Sequence, residues 1–126
     1  MQIIQTDAAP KAIGPYAQSV RTGDLLFCSG QIPLNPESMK IEAASIEDQT
    51  RQVFENVKAV LAASGLGLSR VVTATVFLKD MADFPAVNEI YAEYMGGHTP
   101  ARSTIQVAAL PLGAMVEIEV IATFTE

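Results

Sequence analysis

From Asp80 to Glu126 the chain carries a single lysine or arginine, Arg102, among seven acids: Asp80, Asp83, Glu89, Glu93, Glu117, Glu119 and Glu126. A lone cation in acidic surroundings is a place to look for a bound anion. The segment Ala101 to Val107 reads as a strand, and its alternation puts Arg102 on one face with Thr104 and Gln106. A planar fork of donors on a rigid strand, beside a hydroxyl, suits two-point binding of a small carboxylate. The same spacing fits a structural ion pair with Glu117 or Glu119. Those two glutamates alternate with Val116, Ile118 and Val120, so they share the polar face of their own strand. Such a face can do acid/base work or simply be solvated.

Two other segments could border a site. Ser29-Gly30-Gln31-Ile32-Pro33 ends an apolar strand with a glycine, where backbone can approach a ligand; a bulge or turn explains Gly30 equally well. Ile13-Gly14-Pro15-Tyr16 is a turn whose phenol either reaches a polar site or packs. Cys28 lies within an apolar strand and reads as an inert core thiol, and His98 after Gly96-Gly97 reads as a loop histidine. The chain has no glycine-rich phosphate loop, metal-ligand spacing or nucleophile elbow. Cofactor-free and metal-free chemistry, or binding alone, is the expectation.

These residues need elements to position them. Val53, Phe54, Val57, Val60 and Leu61 form one apolar stripe and predict a helix from Glu47 to Ser64, with Ser45 and Asp48 as a capping box and Gly65 as the stop. A second helix is predicted from Phe84 to Met95, with Pro85 in its first turn and Gly96-Gly97 after it. Strands are predicted over 19–22, 25–29, 71–78, 101–107 and 116–124, the first two joined as a hairpin through Gly23-Asp24. Strand, helix and strand in succession imply a partly parallel sheet with both helices on one face. Leu25 to Cys28 and Val71 to Leu78 are apolar on both faces, so the other face also needs a cover, and a partner subunit is the cheapest one.

Composition bounds the rest. The 126 residues make one domain, 1–126, able to bury roughly two thirds of its unfolded surface. With 49% hydrophobic and 17% charged residues it is neither a disordered chain nor a membrane protein. A net charge of -6 repels phosphate backbones, which argues against nucleic acid as a main partner. A single cysteine permits no internal disulfide, and Met1 to Asp7 lacks the basic and apolar regions of a secretory signal, so a cytoplasmic protein is expected.

Taken together, Ile13-Gly14-Pro15-Tyr16, Ser29-Gly30-Gln31-Ile32-Pro33, Asn56-Val57-Lys58-Ala59-Val60-Leu61, Thr75-Val76-Phe77-Leu78-Lys79-Asp80, Pro100-Ala101-Arg102-Ser103 and Val116-Glu117-Ile118-Glu119 resemble, in that order and over nearly the whole chain, the RidA (YjgF) family of imine deaminases. The resemblance implies an α+β, chorismate-mutase-like fold with two helices on one face of a mixed sheet, assembled as a homotrimer with active sites in clefts between subunits. It implies hydrolysis of 2-imino acids, released by pyridoxal-phosphate-dependent dehydratases, to 2-keto acids and ammonia, with 2-iminopropanoate and 2-iminobutanoate as the small substrates. By motif, Arg102 would bind the substrate carboxylate, Glu117 would position or activate water, Tyr16 would supply a hydroxyl, and Ser29, Gly30 and Thr104 would contact substrate. The alternative is a non-catalytic carboxylate-binding or chaperone-like module using the same clefts. Many relatives carry cysteine where Thr104 stands, and the turn Asn35 to Lys40 lacks their glycine.

Overall fold

The computed structural model describes residues 1–126. Six strands, β1 (Gln2–Ile4), β2 (Ser19–Thr22), β3 (Leu25–Gln31), β4 (Val71–Leu78), β5 (Ala101–Gln106) and β6 (Val116–Thr123), form one mixed sheet in the order β1-β2-β3-β6-β4-β5. β3 and β4 both run antiparallel to β6, which lies between them, and are therefore parallel to each other. β4 and β5 are parallel neighbours. Helix α1 (Ile46–Ala62) links β3 to β4, and α2 (Phe84–Met95) links β4 to β5. Each parallel relation thus has its helix, as expected. β1 is an addition: three residues pairing along β2, too short for an alternation to announce it.

The ends of α1 follow from local chemistry. The Ser45 hydroxyl accepts the Asp48 amide at 3.1 Å, satisfying an otherwise unpaired first-turn donor. The helix ends two residues earlier than its apolar stripe suggests. Gly65, in the left-handed region at φ 72°, lets its own amide donate to Ala62 and the Leu66 amide to Leu61. Met39, in the turn without glycine, takes up that left-handed conformation itself at φ 58°, and the turn closes through the Met39 amide on the Asn35 carbonyl.

Both helices cover one face of the sheet. Val53, Phe54, Val57, Val60 and Leu61 of α1 meet Leu26, Cys28, Ala74, Val76, Leu78, Val116, Ile118 and Val120, all buried. Phe54 is completely buried, worth roughly 1.5–3 kcal/mol. Its ring stacks on Tyr94 with centroids 4.7 Å apart and meets Tyr91 edge-on at 5.8 Å, which seats α2 against α1. The opposite face has no helix. Leu25, Phe27 and Ile105 there are 38%, 41% and 43% exposed, the uncovered apolar surface anticipated above.

Candidate active site

An open cleft of about 470 Å³ lies at the end of β3, bordered by Tyr16, Ser29, Gly30 and Glu117. Four of the six residues given site roles by the sequence therefore meet in one chain. Buried side chains build its walls. Gln18 accepts the Thr6 amide at 2.7 Å and donates to the Thr6 and Pro10 carbonyls at 3.0 and 2.8 Å, folding residues 6–18 onto the sheet edge. Asn56 reaches from α1 to donate to the Leu34 carbonyl at 2.8 Å, which fixes the chain beyond β3. Gln49 accepts the Met115 amide at 2.9 Å, anchoring the loop before β6.

Glu117 lines the cleft beside Gly30. Its partner strand is irregular: Cys28 pairs with Val120 and Gln31 with Ile118, so β3 has three steps where β6 has two, and the extra residue falls at Ser29-Gly30. A Cβ at Gly30 would overlap the Glu117 carboxylate. Glycine is thus required for this close approach of Glu117, and the bulge reading of Gly30 holds. Burial raises the Glu117 pKa above the ordinary carboxylate range, and the neighbouring Glu119 adds to the rise. The two acids that looked equivalent in the sequence differ: Glu117 is half-buried and Glu119 exposed.

The Ser29 hydroxyl donates to the Ala17 carbonyl at 2.6 Å, so its proton is committed to holding the loop and only its lone pairs face other partners. Tyr16 is 51% exposed, and its phenol oxygen accepts the Ile13 amide at 3.2 Å. Residues that motif reading passed over also border the cleft, among them Lys11, its only cation, Pro111 and Leu112. Lys11 sits in a loop without periodicity, and the conformation of the 111–113 turn has no sequence signature.

Arg102 and Thr104 are elsewhere. In the parallel pairing Ala74 stands beside Arg102 and Val76 beside Thr104, which puts both on the helix-covered face, whereas Glu117 lies on the open face. The ion pair with Glu117 or Glu119 is not formed. Instead Arg102 donates to the Asn88 side-chain oxygen at 2.7 Å, and its guanidinium lies 4.7 Å from the Tyr91 ring centre and 5.4 Å from that of Phe84. Since Tyr91 is held in turn by Phe54, the core of α1 fixes the orientation of an exposed cation. Asn88 was not apparent in the sequence, because only the rotation of α2 over β5 brings it to Arg102. The Thr104 hydroxyl is buried without a partner.

The remaining singled-out residues are structural. Burial pushes the Cys28 thiol up to about 12, which leaves it protonated and inert. His98 is half-buried, with Nε2 2.8 Å from the Val71 carbonyl oxygen. No helix is long and apolar enough to cross a membrane.

Other proteins share this arrangement. A RutC family protein from Pyrococcus horikoshii is 50% identical over 121 residues, covering 96% of each chain. Reactive Intermediate Deaminase A, chloroplastic, from Arabidopsis thaliana is 52% identical over 122 residues, 97% of this chain and 65% of that one. Among solved structures, E. coli TdcF with bound serine superposes with a TM-score of 0.94 at 44% identity, covering 99% of this chain and 100% of the other. The endoribonuclease L-PSP profile matches residues 6–124, nearly every element described above, and with identities of this size it shows that the chain belongs to that family, the family of the YjgF, RidA and RutC proteins.

Proposed function

We propose that this protein hydrolyses small 2-imino acids, such as 2-iminopropanoate and 2-iminobutanoate, to 2-keto acids and ammonia in the cytoplasm. The observation that carries the reading is the Glu117 carboxylate, half-buried, raised in pKa and set against the Ser29-Gly30 bulge in the lining of an open cleft. A protonated imine carbon is already electrophilic, so the chemistry asked of the protein is orientation and proton transfer. Glu117 takes a proton from water as the water oxygen adds to C2, and the C=N π electrons move to nitrogen. The carbinolamine then collapses: Glu117 returns the proton to nitrogen, the C–N bond breaks with its electron pair going to nitrogen, and the hydroxyl proton passes to Glu117 and on to solvent as C=O forms. One water enters and one ammonia leaves. Tyr16 contributes its phenol to the cleft wall, and Ser29 and Gly30 contribute backbone contacts.

Arg102 grips the substrate carboxylate in this reading, with Asn88 holding the fork in plane, and Thr104 lies beside it. Because Arg102 and Glu117 occupy opposite faces of one sheet, the arginine comes from a second copy. The exposed Leu25, Phe27 and Ile105 of the open face support assembly, and we propose a homotrimer with three such shared clefts. Coupling the purified protein to a threonine or serine dehydratase and following keto-acid release tests the function. Faster release than buffer hydrolysis is expected; release at the buffer rate would leave a binding module in its place.

Gly30→Ala probes the same geometry without altering any charge. The added methyl meets the far end of a flexible side chain, so the fold survives and the carboxylate moves. Melting should stay within a few degrees of the parent. Turnover should drop on the order of tenfold, part of the roughly hundredfold that a full ångström of misplacement costs. Thermal melts run beside the coupled assay read both.

A further inference from the structure

The Pro111–Gly113 turn at the border of the cleft contains a backbone anomaly. Leu112 sits in the left-handed region at φ 57°, ψ 23°, followed by Gly113 at φ 72°. Such values favour glycine, and a leucine there is strained. The strain is not relieved by burial, since Leu112 is 67% exposed. The turn is instead held from both ends: the Gly113 and Ala114 amides donate back to Leu110 and Pro111, Ala114 is buried, and the Met115 amide is captured by Gln49. A chain that locks a bulky apolar side chain outward at a conformational cost is presenting it to something. The same cleft is also lined by Ile13, 62% exposed. The cleft lining therefore combines polar groups, Glu117, Tyr16 and Ser29, with two exposed aliphatic side chains.

We infer that Leu112, with Ile13, forms an aliphatic clamp on the carbon side chain of the substrate and biases the site toward longer apolar 2-imino acids over the smallest ones. This rests on the deaminase reading given above and extends it from the reacting carbon to the side chain. A hydrophobic contact of this kind discriminates one or two methylenes by roughly tenfold or more. It acts on binding, so its signature is in KM more than in kcat.

Leu112→Gly and Leu112→Asn test the clamp. Both residues tolerate the left-handed conformation, so neither should cost the fold, and the asparagine keeps a side chain of similar length but removes its apolar character. The imines of alanine and of leucine, generated in situ by an amino-acid oxidase, serve as short and long substrates. The ratio of kcat/KM, long over short, should fall about tenfold in both variants, through KM. Binding of the corresponding keto acids, pyruvate and 4-methyl-2-oxopentanoate, measured by calorimetry, should lose the same selectivity. An unchanged ratio in variants that turn over both imines overturns the clamp while leaving the deaminase reading intact. If the parent hydrolyses neither imine, the deaminase reading falls, and keto-acid selectivity alone decides the clamp: lost in the variants it stands, retained it fails.

Discussion

Glu117→Gln should lower kcat/KM for imine hydrolysis by roughly a hundredfold to ten-thousandfold, the range spanned by a single positioned proton-transfer group, while making the protein slightly harder to unfold. The opposite signs have one cause. Burial, with Glu119 adding to it, makes the folded protein hold the Glu117 proton more tightly than the unfolded chain does. Between the ordinary glutamate pKa and the raised one, folded molecules therefore bind more protons, and stability falls as pH climbs through that window. Above it the ionised carboxylate opposes folding by a constant amount, which the amide relieves. Activity runs the other way, because only the ionised form accepts the proton of water, so kcat/KM should rise through the same window and then level. Stopped assays across the acid limb, paired with denaturant titrations at each pH, read both slopes. A glutamine variant with parental turnover would remove Glu117 from the chemistry.

Arg102→Ala should cut kcat/KM by about a hundredfold, and Arg102→Lys by at least tenfold, since lysine keeps the charge but loses the planar two-donor fork. Stability should move by no more than about 1–2 kcal/mol, because the residue is exposed and its contacts are one hydrogen bond and two ring faces. The decisive measurement mixes two inactive proteins. If each site takes Arg102 from one copy and Glu117 from another, co-refolding Arg102→Ala with Glu117→Gln in equal amounts rebuilds intact sites wherever the two kinds adjoin in the right order. The chance is one half times one half, so about a quarter of parental activity should return in a closed ring. A site contained in one chain returns none. Sedimentation should show the mixture at about three times the 13.4 kDa chain mass.

Arg102 stood out in the sequence because charge is countable: one cation among seven acids needs no fold to be noticed. Its neighbours were invisible because Asn88 and Tyr91 reach it only through the angle at which α2 rests on β5, and that angle is set by Phe54 in a different helix. Alternation along β6 correctly put Glu117 and Glu119 on one face, yet a period of two treats all members of a face alike. The difference between them comes from one extra residue in β3, a tertiary irregularity that Gly30 hinted at without specifying. Both helices were legible to within two residues because their stripes, caps and stops agree with one another. β1 and Leu112 were not, the first being ordered by its neighbour strand and the second held against its own preference by the bonds around it.

The sheet order has a consequence for how the molecule is made. β6 is synthesised after every other strand and yet lies at the centre, the sole bridge between β3 and β4. Until residue 123 has left the ribosome, a nascent chain holds two half-sheets, β1-β2-β3 and β4-β5, each with an unpaired apolar edge. No amount of vectorial folding can join them, and the contacts that finally do so span much of the chain, which slows the closing step. For that interval both edges are open to strands of other chains, so crowded polysomes are where this protein is most exposed to mispairing and where chaperone protection matters most.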